Sequence, residues 1–137
     1  RELRTISLEQ MASDVVVELP KVIDIMANGS RRVAQLLRLS ELGEGLEVLQ
    51  DIIAVSREML NTIHILRSQF SSRVSRDIYE LGSVLGTVLG EIGDVMDAED
   101  WMLVADLLEY EYLPACEGWR GIISTIGDDI AETTKAA

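Results

Sequence analysis

Apolar residues recur at alternating spacings of four and three along most of the chain, the repeat of α-helices that each bury one stripe. The first series is Leu8, Ala12, Val15, Leu19, Val22, Met26, Gly29, Val33 and Leu36. The second is Leu42, Leu46, Leu49, Ile53, Ser56, Leu60 and Ile63, ending near Phe70. The third is Val74, Ile78, Leu81, Leu85, Val88, Ile92 and Val95. The fourth is Trp101, Ala105, Leu108, Tyr112, Ala115, Trp119, Ile122 and Ile126. No comparable stretch alternates with period two, so no strand is expected. The spacing predicts helices over about 7–39, 43–70, 72–96 and 98–131.

Breaks are expected where the register changes. Ser40-Glu-Leu-Gly-Glu-Gly45 reads as a turn, Ser71-Ser72 supplies an N-cap, and Asp97 can cap the fourth helix. Short connections between long helices imply antiparallel neighbours. The expectation is an all-α, antiparallel up-down four-helix bundle forming a single domain over 1–137. Pro20 and Pro114 fall inside the series and should kink their helices, since each removes a backbone donor. Asn28-Gly29-Ser30 is a stop signal at which the first helix can end.

Charge is unevenly spread. Residues 1–76 carry ten acids and ten bases, whereas 77–137 carry fourteen acids and two bases, Arg120 and Lys135, which accounts for the whole net charge of −12. Such a balance opposes binding to nucleic acid or to an anionic membrane surface. It favours protein partners, basic ones included. The longest apolar run, Leu81 to Gly90, falls well short of a membrane span. A lone cysteine, Cys116, excludes an internal disulfide, and no secretory signal is visible. A cytoplasmic setting is therefore expected, although the chain opens at Arg1 rather than Met, which leaves open whether a leader was removed.

Two features exceed what a bundle core requires. Gly82, Gly86, Gly90 and Gly93 lie in one expected helix, where four glycines cost roughly 3–4 kcal/mol relative to alanine. They share a stripe roughly 125° around from the apolar seam, at about 100° per residue. The stripe either seats a neighbouring helix of the same bundle or meets another subunit. On the fourth helix, Leu103, Asp106, Tyr110, Leu113 and Glu117 form a second line opposite the seam. Apolar residues aligned there suggest an interface, unless a kink at Pro114 or a further helix covers that side.

Chemistry is sparse. His64 is the only histidine, and Asn61 stands where a Glu-x-x-His metal pair would need a glutamate. Neither a zinc set nor a phosphate-binding glycine loop can be assembled, so no metal or cofactor is expected. Arg57 and His64, with six residues between them, look like the Arg-x(4–6)-His signature of HEPN-type helical ribonucleases. That resemblance implies a general acid–base and phosphate-stabilising pair. Glu58 after Arg57 departs from the pattern, and the net charge opposes RNA.

Ala105-Asp-Leu-Leu-Glu-Tyr-Glu-Tyr-Leu-Pro114, continuing to Glu117-Gly-Trp119, resembles the C-terminal helix of small uncharacterised helical proteins from bacteria. Leu19-Pro20-Lys-Val-Ile and Gly45-Leu-Glu-Val-Leu are similar to their earlier helices. This resemblance implies the same fold and a bacterial cytoplasmic setting, and no activity. The sequence thus points to a non-enzymatic interaction module, homo-oligomeric or pairing with another helical protein as a chaperone or adaptor. A ribonuclease using Arg57 and His64 is the alternative.

Overall fold

The computed structural model describes residues 8–66 and 70–136, and no strand occurs among them. Helix α1 spans Leu8–Arg38, α2 Leu42–Ile65 and α3 Ser72–Asp97. A fourth rod follows in three parts: α4 (Trp101–Leu107), a π-helical turn (Leu108–Tyr112) and α5 (Leu113–Ala136). The expected start of the first helix at residue 7 lies outside the described residues, as do 67–69 and the side chains of Leu8, Ala12 and Val15.

α1 is the hub. One side packs on α2 and the other on the fourth rod, which also receives α3. This explains why α1 buries two adjacent lines, Leu19, Ile23, Met26, Ser30, Val33 and Leu37 beside Ala27 and Ala34. α2 and α3 are consecutive but scarcely touch among the described residues.

Several expected boundaries move, each for a local reason. α1 runs unbroken through Asn28-Gly29, because Gly29 marks a close helix crossing and not a stop. A Cβ there would fall 2.4 Å from Ile52 Cγ2 of α2. Ser30 stays helical by bonding its hydroxyl to the Ala27 carbonyl at 2.9 Å. The first turn is shorter than expected. Ser40 takes a left-handed φ of 64°, and the Glu41 and Ser40 amides close back on Leu36 and Leu37. Gly43 and Gly45 therefore belong to α2, and Gly45 lets α2 approach Leu37.

The expected second helix is too long at its end. α2 stops at Ile65, where the Leu66 amide bonds back to Thr62 and Ile63, and Phe70 returns to the core. Its buried line is Gly45, Leu49, Ile52, Ser56, Met59 and Ile63; Leu46, Ile53 and Leu60 of the expected seam are only half-buried.

α3 begins as expected, with Ser71 Oγ accepting from the Val74 amide at 3.3 Å. It runs to Asp97, so Asp97 closes a helix and does not cap the next. The same left-handed closure recurs at Glu99 (φ 59°). Asp100 then caps α4 by accepting from the Leu103 amide at 3.2 Å.

The fourth rod keeps its predicted seam, and Tyr112, Trp119, Leu108 and Ile126 are fully buried. Its π turn lies just before Pro114. Proline offers no amide to the Tyr110 carbonyl, and its ring crowds that carbonyl, so the five-residue bond from the Leu113 amide to the Leu108 carbonyl eases the passage.

Candidate interaction surfaces

Among the described residues, a polar cluster lies in the interior. Ser56 Oγ donates to the Ile52 carbonyl at 2.7 Å, so the Tyr112 hydroxyl, 2.6 Å away, donates to Ser56. This bond ties the π turn to α2 across the core. Burial drives the Tyr112 phenol above its ordinary range and pushes the neighbouring Cys116 thiol up to about 11. Such a thiol is protonated and shielded, and so unsuited to nucleophilic work. Trp119 Nε1 is buried without a hydrogen-bond partner among the described residues.

No group of three or more potential metal ligands occurs among the described residues. Nor is any described helix long and apolar enough to cross a membrane. Arg57 and His64 are both exposed on α2. His64 edges a cleft of about 610 Å³ between α2 and α3, together with Leu60, Phe70, Ile78, Tyr79, Gly82 and Trp119.

The glycine stripe of α3 lies beside that cleft. Gly82 faces Leu60, whose Cδ2 would stand 3.6 Å from an added Cβ. Gly86, Gly90 and Gly93 have no heavy atom within 4 Å of such a Cβ apart from their chain neighbours and the backbone of their own helix turn. Among the described residues, therefore, they seat no neighbouring helix. Tyr79, three-quarters exposed, shares their arc of the helix, which sequence reasoning passed over although its spacing from Gly82, Gly86 and Gly93 is helical. The same arc carries Arg76 towards one end and Asp94 and Asp97 towards the other, all exposed and without an ion pair among the described residues.

The second line on the fourth rod is divided. Leu103 and Tyr110 are exposed. Asp106 is half-buried and meets Arg38 of α1 at 2.8 Å, an arginine that Glu109 also engages. Leu113 packs against the core margin, and Glu117 pairs with Arg120 at 3.1 Å. The π turn inserts a residue between the two groups, so positions beyond it are rotated relative to those before it. On the other side of the π turn, Glu91 of α3 faces Glu111. A hydrogen bond between the two carboxyl groups, and repulsion when both ionise, hold Glu91 above the usual carboxylate range.

The family described as Domain of unknown function (DUF8042) matches residues 14–122. No curated protein and no solved structure matches the chain.

Proposed function

The chain belongs to the DUF8042 family, whose function is unknown, and from that premise we propose that it is a non-enzymatic, cytoplasmic interaction module that self-associates through the outer face of α3. The reading takes the four rods as an antiparallel up-down bundle bent at Pro20 and Pro114. One observation carries it: Gly86, Gly90 and Gly93 face open space although each weakens the helix.

A second copy fits this face by size and by charge. In a two-fold antiparallel arrangement centred level with Val84 and Leu85, Tyr79 of each copy lies opposite Gly90 of the other. Arg76 then lies opposite Asp94. The same patch serves both copies, as a closed dimer requires. Small residues let the two backbones approach closely, and the tyrosine supplies the anchor. Leu103 and Tyr110 remain free for a further helical partner, as a chaperone or adaptor would need.

Light scattering after size exclusion at about 50 μM, a concentration that detects micromolar dimers, is the test. Gly90→Leu should yield monomers without lowering the melting temperature. Arg76→Asp should also yield monomers, and Asp94→Arg added to it should restore the dimer. A wild-type chain that stays monomeric ends the proposal. The ribonuclease alternative is separated by comparing the wild type with His64→Ala in an RNA-cleavage assay.

A further inference from the structure

A second surface lies on the opposite side of α2. Leu19, Met59 and Ile63 form the buried floor of a groove of about 350 Å³ between α1 and α2, and Val22 and Val55 form its half-buried walls. Ile25 stands at its edge 54% exposed. These side chains give up hydrophobic stabilisation that burial would provide.

The rims of this groove are acidic. Glu18 and Glu58 line it from opposite walls. Asp14 follows the same face of α1, and Asp51 the same face of α2, by their four- and seven-residue spacings. Lys21, next to this wall on α1, reaches Glu18 at 3.5 Å with both side chains exposed. Beyond the groove, towards the α1–α2 turn, Arg32 of α1 and Glu44 of α2 form an ion pair. Asp51 and Glu58 have no ion-pair partner among the described residues.

We infer that the α1–α2 groove holds a basic amphipathic helix of a partner protein. Apolar side chains at i, i+3 or i+4, and i+7 enter the groove, and flanking Lys or Arg meets the acidic rims. Asp51 and Glu58 are seven residues apart, about 10.5 Å along α2. A docked helix with a cation at every seventh position meets both, as flanking charges do in coiled coils. The groove shares with the self-association reading only the premise that the chain acts by contact. It uses no residue of α3.

Three labelled peptides of equal length test this by fluorescence anisotropy at physiological salt. One carries a leucine stripe flanked by lysines. The second keeps the stripe with glutamates in place of the lysines. The third has the lysine composition with the stripe scrambled. The first should bind about tenfold or more tightly than the others. Asp51→Lys with Glu58→Lys should reverse the preference towards the glutamate peptide, and Ile25→Asp should abolish binding with helicity unchanged. Asp77→Lys with Glu80→Lys, on α3, should leave affinity within about twofold.

Equal binding of the scrambled peptide, or equal loss from the α3 reversal, would show diffuse charge attraction and overturn the inference. So would absence of binding at about 100 μM. A change in the mass of the unliganded protein on Asp51→Lys with Glu58→Lys would place a second copy in the groove, also against it. A monomeric wild type that binds the lysine peptide supports the groove while ending the α3 dimer, so the two failures are distinguishable.

Discussion

Replacing Gly86, Gly90 and Gly93 together by alanine should stabilise the isolated chain. Each glycine lies inside α3, where exchange for alanine gains about 0.8–1.0 kcal/mol. The added methyl groups would meet no heavy atom within 4 Å outside their own helix turn, so no steric cost offsets the gain. The sites are at least three residues apart and share no partner, so the increments should nearly add, to roughly 2.5 kcal/mol. For a chain of this size that amounts to roughly 5–10 °C in melting temperature. Urea unfolding followed by circular dichroism, at a concentration where light scattering reports monomer, should show a higher midpoint and an unchanged slope.

The internal control is Gly29→Ala. Its methyl would collide with Ile52 Cγ2, part of a buried, branched side chain, so α1 and α2 must part locally. That strain of about 1–3 kcal/mol should outweigh the propensity gain, giving a net loss. If the triple variant is no more stable than the wild type, or if Gly29→Ala stabilises equally, the argument that α3 carries spare glycines fails.

Tyr112→Phe removes the donor to Ser56 while Ser56 keeps its bond to the Ile52 carbonyl, so a loss of about 1 kcal/mol should appear in the same unfolding experiment. Cys116 should resist thiol reagents at pH 8 in the folded protein and react at once in denaturant, as burial and a thiol pushed up to about 11 both require. Glu111→Gln should raise stability at pH 7. Folding raises the Glu91 carboxyl, so that site favours the folded state below the ordinary carboxylate range, and this advantage is lost as pH rises through its folded value. Thermal melts of the variant and the wild type should therefore converge near pH 4 and diverge above it.

The helical character of the chain was legible because one periodicity governs nearly all of it. The seam of α3 follows directly from spacing, and so does one buried line of the fourth rod, which packs on both α1 and α3 and also buries Val104, Leu107 and Cys116 beside that line. α1 is read less completely, because a hub helix packs on two sides and its second buried line, including Ile23 and Ala34, looks from sequence like an irregular thickening of the first. Gly29 shows the limit of local signals: Asn-Gly is the same dipeptide at a helix stop and at a close crossing, and only Ile52, 23 residues on, distinguishes them. The surfaces were partly legible. The glycine stripe stood out by composition, whereas the α1–α2 groove is built from residues that meet only through tertiary packing.

The π turn makes the length of the fourth rod a fixed quantity. Removing one residue between Leu108 and Tyr112 would let the rod continue as a regular α-helix, but it would turn all of α5 by about 100° about its axis. Trp119, Cys116 and Ile126 would leave the interior together, and Glu117 and Arg120 would be carried towards it. Substitutions along this segment act one side chain at a time. A deletion acts as a phase error on the 24 residues of α5, so the rod should tolerate varied sequence there far more readily than any change in count.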